Sequence, residues 1–258
     1  MAKYLEITEN PRRLYAIGDI HGCPDELEFL LEYLRNTCNI DDKDQVIFIG
    51  DYIDRGFGSK SVLDCLLRFQ KLQPRTIFLR GNHEDMLLDY LGLEGTNGGA
   101  FLQNGGVETF KSYGIDPFLS PEEILIQFPK DHLSFIANLE RMIIAGEYVI
   151  THAGLDPLRD LRLQLDHDLF WIRDEFILNI HHFGKTVVFG HTCFQDLFFH
   201  LPFKLGIDTA LVYGNKLSCV ELISGEVFQV DHGSRRIKAS TLTKKAKAKV
   251  SDRFFRGS

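Results

Sequence analysis

No stretch of the chain approaches the roughly 18 consecutive apolar residues that a membrane-spanning helix needs, and the opening residues MAKYLEITENPRR hold no signal-peptide core. Neither export nor membrane insertion is expected, and the cytoplasm is the natural setting. The five cysteines (Cys23, Cys38, Cys65, Cys193, Cys219) are odd in number, scattered, and never spaced as Cys-x-x-Cys. Neither a disulfide framework nor a thiolate zinc site is indicated by such a pattern. There is no internal repeat and no linker dividing the chain. With 44% apolar and 25% charged residues, composition gives no reason to expect disorder of the body.

What the chain does hold is an uneven charge. The formal net charge is −7, yet from Gly233 onward nine Lys and Arg residues face one acid, Asp252. One domain is expected over residues 1–232, followed by a basic tail over 233–258 that is partly disordered. An acidic body binds polyanions poorly. The run Lys244-Lys245-Ala246-Lys247-Ala248-Lys249 is the place where weak contact with nucleic acid or an acidic partner is expected, although such a run is more often only a solvated end.

Short runs rich in Val, Ile and Phe predict buried strands at Leu14–Ile17, Val46–Ile49, Thr76–Leu79, Tyr148–Ile150 and Thr186–Phe189. Helical spacing predicts a helix over Pro24–Arg35, with Leu27, Leu30, Leu31 and Leu34 on one face, and another over Ser59–Lys71. Alternating strands and helices imply an α/β fold with ligands at the carboxyl ends of strands. The Gly-rich segment Gly92–Gly114 has no clean period and predicts a long loop or a broken helical lid. Further on, Ala210–Tyr213, Leu217–Ile223 and Val227–Val230 predict consecutive antiparallel strands.

Five polar clusters fall at the predicted strand ends: Gly18-Asp19-Ile20-His21-Gly22, Gly50-Asp51-Tyr52-Ile53-Asp54-Arg55-Gly56, Gly81-Asn82-His83-Glu84, His152-Ala153-Gly154 and Gly190-His191-Thr192. One such Asp is commonly a helix cap and one such His a satisfied core residue. Five together would strand polar groups in one place unless cations held them.

These motifs resemble those of the PPP-type serine/threonine protein phosphatases, above all their bacterial branch, within the metallophosphoesterase superfamily. The likeness runs from about Tyr15 to Asp208. It implies a sandwich of two mixed β-sheets flanked by helices, with metals at one edge. It also implies that Asp19 and His21 hold a first ion, that Asp51 bridges, and that Asn82, His152 and His191 complete a second site. By the same likeness His83 is the general acid, Asp54 orients it, and Arg55 and Arg173 grip the phosphoryl group beside Asn82.

Elementary chemistry agrees with that assignment. Two divalent ions about 4 Å apart need an anionic bridge, and a water between them becomes a nucleophile near neutral pH. Imidazole and carboxylate donors suit Mn, with Fe or Zn as alternatives, better than Mg. A carboxylate beside His83 is expected to raise its pKa towards neutrality. The last motif reads Gly190-His191-Thr192-Cys193, without the second histidine of the related phosphodiesterases, and Cys193 is expected to be a non-ligand. The expected reaction is hydrolysis of phosphoserine and phosphothreonine in proteins, with dinucleoside polyphosphates as the alternative substrate. For that alternative Phe101 and Lys111 are candidate lid contacts. The resemblance also implies that Asp208 and Tyr213 lie near where the chain returns to the site, and six histidines (132, 167, 181, 182, 200 and 232) match no motif.

Overall fold

A computed structural model describes residues 4–243. In chain order it contains β1 (Leu5–Ile7), β2 (Leu14–Ile17), α1 (Pro24–Asn36), β3 (Gln45–Phe48), α2 (Ser59–Leu72), β4 (Thr76–Phe78) and α3 (Asn82–Tyr90). Next come α4 (Gly106–Ser112), α5 (Pro121–Gln127), α6 (Lys130–Ala137), β5 (Met142–Ala145), β6 (Tyr148–Thr151), α7 (Asp166–Trp171) and α8 (Asp174–Ile177). The remainder is rich in strands: β7 (Thr186–Phe189), β8 (Phe198–His200), β9 (Lys204–Gly206), β10 (Lys216–Glu221), β11 (Glu226–Asp231) and β12 (Ile237–Thr241).

The strands form two six-stranded sheets, ordered β1-β5-β6-β7-β9-β8 and β12-β11-β10-β2-β3-β4. Both are mixed. In one, β6, β7 and β9 run parallel; in the other, β2, β3 and β4 run parallel while β10 lies antiparallel to β2.

Side chains alternate across each strand, and that alternation makes the layers. Leu14 and Ala16 of β2 face one way and join Ile47, Ile143, Ile150, Val188 and Val220 in an apolar layer drawn from both sheets. Tyr15 and Ile17 face the other way, where Val46 and Phe48 meet Leu27, Leu34, Val62 and Leu66 of α1 and α2. On the outer face of the other sheet, Val149, Val187 and Phe189 pack against Leu169, Phe170 and Phe176 of α7 and α8. The sandwich of two mixed sheets flanked by helices is thus present as the resemblance implied.

One expectation changes and two are refined. Ala210–Tyr213 is not a strand: Ala210 takes φ 58° and a 3-10 turn follows over Leu211–Tyr213. The cause is local, since Asp208 Oδ1 accepts the Ala210 N–H at 2.9 Å and turns the chain. The Gly-rich segment is the broken helical form, with short 3-10 turns at Gly98–Ala100 and Leu102–Asn104 leading into α4. A boundary at residue 232 leaves out a strand, because β12 pairs with β11 from Glu226↔Thr241 to Val230↔Ile237. The Lys244–Lys249 run lies outside the described residues.

Candidate metal centre and active site

The carboxyl ends of the parallel strands deliver the polar residues. Asp19 and His21 follow β2, Asp51 follows β3, Asn82 opens α3 after β4, His152 follows β6 and His191 follows β7. Because β2, β3 and β4 belong to one sheet and β6 and β7 to the other, the site is assembled from both. Two glycines permit the close approach. A Cβ on Gly81 would lie 2.1 Å from Asp51 Oδ1, and one on Gly190 would lie 2.1 Å from Asp19 Oδ1. The backbone is strained at the same places. His21, Asp51, Asp54, Arg55 and His191 take φ of 46°, 53°, 71°, 67° and 60°, each costing on the order of 1 kcal/mol or more.

Two groups of donor atoms share Asp51. His21, Asp51 and His83 form one, and Asp51, His152 and His191 the other, with the atoms of each group within 4.8 Å of one another. His21 Nδ1 donates to the Ile53 carbonyl at 2.9 Å and His152 Nδ1 to the Ile49 carbonyl at 2.9 Å. Those bonds fix both rings with the Nε2 lone pair turned inward. His21 Nε2 then lies 3.2 Å from Asp51 Oδ2, and His152 Nε2 lies 3.4 Å from Asp51 Oδ1 and 3.1 Å from Asn82 Oδ1. Asn82 Oδ1 is also 2.9 Å from His191 Nδ1. Acceptors converge here without enough donors.

Orphaned atoms make the same point. Asp19 Oδ1, His83 Nε2 and His191 Nε2 are buried with no hydrogen-bond partner. Asp19 stands outside both donor groups, with its Oδ2 accepting the His191 N–H at 3.0 Å. Burial, aided by the nearby Asp208, lifts Asp19 well above the usual carboxylate range. Burial would lift Asp51 too, but the imidazoles of His152, His83 and His21 hold it well below that range. Burial would lower His152, and Asp51 instead pushes it up to about 9. Oxygen and nitrogen donors around a shared carboxylate, with orphaned acceptors beside it, fit divalent cations.

His83 and Asp54 are both fully buried and lie 2.7 Å apart, Nδ1 to Oδ2. The expected direction for His83 is corrected. Burial pushes it well below the usual histidine value despite the opposing pull of Asp51, and burial lifts Asp54 well above the carboxylate range. One hydrogen bond joins the two side chains and leaves His83 Nε2 without a partner.

Arg55 lies beside this pair, with Nη1 donating to His21 Nε2 at 2.6 Å and its guanidinium 5.6 Å from the Tyr213 ring. Arg173 is exposed just before α8, and its charge helps depress His191. Cys193 joins neither donor group; its thiol donates to Asp208 at 2.9 Å. Phe101 packs against Tyr90 and Phe110 with no exposure, while Lys111 is exposed at the end of α4.

Several supporting residues escaped the sequence reading. Glu84 accepts the N–H groups of Asp51 (3.0 Å), Tyr52 (2.8 Å) and Gly81 (3.0 Å), so one carboxylate clamps two ligand loops. Its third position in α3, where capping carboxylates sit, was the available signal. Thr109 of α4 donates to Asp54 Oδ1 at 2.6 Å and accepts the Asp54 N–H at 2.9 Å, and its hydroxyl is 3.0 Å from Ser59 Oγ. Nothing in the aperiodic stretch around Thr109 pointed to it.

Comparison with known proteins places this geometry among relatives. The family profile described as calcineurin-like phosphoesterase matches residues 12–219. Serine/threonine-protein phosphatase 2 of Salmonella typhimurium is 32% identical over 201 residues, covering 74% of this chain and 85% of that protein. Serine/threonine-protein phosphatase 1 of the same organism is 29% identical over 226 residues, covering 83% and 94%. The symmetrical bis(5'-nucleosyl)-tetraphosphatase of Coxiella burnetii is 40% identical over 165 residues, covering 61% of this chain and 47% of that protein, so the chain spans about half of that relative. Among solved structures, a candidate diadenosine tetraphosphatase superposes with TM-score 0.67 at 21% identity, covering 90% of this chain and 99% of that one. A cold-active protein-tyrosine phosphatase of a psychrophilic Shewanella gives 0.61 at 17%, covering 94% and 82%. At such identities these structures speak for the fold alone.

Proposed function

The chain belongs to the calcineurin-like phosphoesterase family, and on that footing we propose that it hydrolyses phosphoserine and phosphothreonine in proteins with two divalent ions as cofactors. The observation that carries the reading is the convergence of under-satisfied acceptors on Asp51 beside the buried His83–Asp54 pair. Asp19, His21 and Asp51 would hold one ion, and Asp51, Asn82, His152 and His191 the other. Manganese suits this set best, with iron or zinc also compatible. When bound, such ions lower the pKa of a water between them and offset phosphoryl charge.

The chain's own groups do the rest. Arg55 would present a planar fork to two phosphoryl oxygens, and Arg173, whose charge reaches His191, would add a second grip. His83 gives its Nε2 proton to the departing serine or threonine oxygen, and Asp54 keeps the ring oriented. No covalent phosphoenzyme is needed. The extent of the Salmonella matches, 85% and 94% of those proteins, supports a protein substrate. The higher identity of the Coxiella tetraphosphatase supports a second reading, cleavage of dinucleoside polyphosphates. Phe101 lends that reading no help, since it is spent in packing.

The test is a panel on manganese-loaded protein: phosphoserine, phosphothreonine and phosphotyrosine peptides, p-nitrophenyl phosphate and diadenosine tetraphosphate. The highest kcat/KM is expected on a phosphoserine or phosphothreonine peptide. A higher value on diadenosine tetraphosphate assigns the second reading instead.

A further inference from the structure

Cys23, Glu26 and His232 form a separate group whose donor atoms lie within 4.8 Å of one another. Cys23 immediately precedes α1 and Glu26 sits in its first turn, while His232 comes from the turn joining β11 to β12. Helix capping does not account for them, because no side chain caps α1. The Glu26 carboxylate turns towards the distant hairpin instead. Its Oε1 accepts the Gly233 N–H at 2.7 Å and lies 3.3 Å from His232 Nδ1. Glu26 is 4% exposed, so a buried carboxylate is left with one backbone donor and a half-exposed ring. The Cys23 thiol reaches only the His21 carbonyl, at 3.5 Å. All three line a cavity of about 550 Å³ that extends to Arg55 and Phe57.

We propose that Cys23, Glu26 and His232 bind a further divalent ion of the zinc type, distinct from the ions of the phosphoryl-transfer centre. Sulfur, oxygen and nitrogen donors together select zinc or cobalt over manganese or magnesium, the reverse of the sulfur-free set around Asp51. A tetrahedral ion with Zn–S about 2.3 Å and Zn–N or Zn–O about 2.0–2.1 Å needs donors roughly 3.3 to 3.6 Å apart. His232 Nδ1 and Glu26 Oε1, 3.3 Å apart, already stand at that spacing, and the three donor atoms together lie within 4.8 Å. Binding releases the thiol proton to solvent and forms a sulfur–metal bond without any redox change. Three protein ligands leave the fourth position open to the cavity that Arg55 lines. The ion would clip the C-terminal hairpin to the loop bearing His21 and set a positive charge beside the phosphate grip.

The full chain, stripped by chelation and titrated with Co(II), should develop the near-ultraviolet absorption of a cobalt–thiolate bond. Cys23→Ser should abolish that band and Cys193→Ser should leave it. By dialysis and elemental analysis, the wild type should retain one equivalent more Co(II) than His232→Ala, whose turn position makes it safe for folding. No band in the wild type, a band that survives Cys23→Ser, or equal retention by His232→Ala overturns the assignment. None of these readouts uses phosphatase activity, so this site can fail while the proposed function stands.

Discussion

His83→Asn and Asp54→Asn are each expected to lower kcat on a phosphoserine peptide by about 10² to 10⁴, the range for lost general-acid help, with metal content unchanged. Because the two side chains are hydrogen-bonded at 2.7 Å, they are expected to act as a unit, and the double variant should lose little more than the worse single one. Multiplicative losses would show that they work independently. Thr109 extends the unit. Thr109→Val should cost about 10- to 100-fold in kcat, the kinetic equivalent of a hydrogen bond to a carboxylate. Thr109→Ser should retain most of the rate. For p-nitrophenyl phosphate, whose leaving group barely needs a proton, the Thr109→Val loss should shrink; an equal loss on both substrates would mark Thr109 as merely structural. These residues also show what was legible. Asp19, His21, Asp51, Asn82, His152 and His191 were readable because each follows a short apolar run within a glycine-bearing motif. Thr109 was not, because it reaches Asp54 from another segment, and sequence carries no distance across 55 positions.

Among the elements, β2, β3, β4, β6, β7, β10 and β11 were legible and β1, β5, β8, β9 and β12 were not. β2, β3 and β7 are covered on both faces, which demands the unbroken Val, Ile and Phe runs that announce them. β1, β8 and β9 have three residues each, and no residue of β12 is buried, too little pattern to separate from loop. Asp44 shows how the neighbouring segments are tied together. Its carboxylate, with no exposure, accepts from Arg12 Nη2 and Arg13 Nη2, each at 2.6 Å, and from the Asp41 N–H at 3.0 Å. Although burial opposes, the guanidinium groups of Arg13 and Arg12 hold Asp44 well below the usual carboxylate range. On acidification the unfolded chain therefore takes up this proton before the folded one. The pair's stabilisation is complete above the unfolded carboxylate value of about 3.9 and drains away as pH falls through the folded value. Asp44→Asn should lower the urea midpoint at pH 7 and at pH 5 equally, and the gap to wild type should close in more acidic buffers. A gap unchanged down to the acid transition would show that the ion pairs contribute nothing there.

At the scale of the whole molecule, the proposed metal ligands come from both sheets, so any ion they hold binds the folded sandwich and not the open chain. Mn(II) added after chelation should raise the melting temperature, by a stabilisation of about 2.7 kcal/mol when free ion is a hundredfold above its dissociation constant. His152→Ala should remove most of that gain, and Mg(II) should give less of it. An unchanged melting temperature on Mn(II) addition would count against the ligand assignment. Any truncation made to test the basic tail should begin after residue 243, since β12 closes one end of a sheet. The order of that sheet also bears on how the protein is made. β10 lies between β11 and β2, and the Gly18 N–H donates to the Ser218 carbonyl at 3.0 Å. The loop bearing Asp19 and His21 is thus braced by a strand that leaves the ribosome long after it. At about 5–20 residues per second, the interval lasts on the order of tens of seconds. Through that time β2 emerges with an open edge, which offers unpaired N–H and C=O groups to any stray strand. A nascent chain should therefore be both inactive and in need of shelter until β10 has emerged.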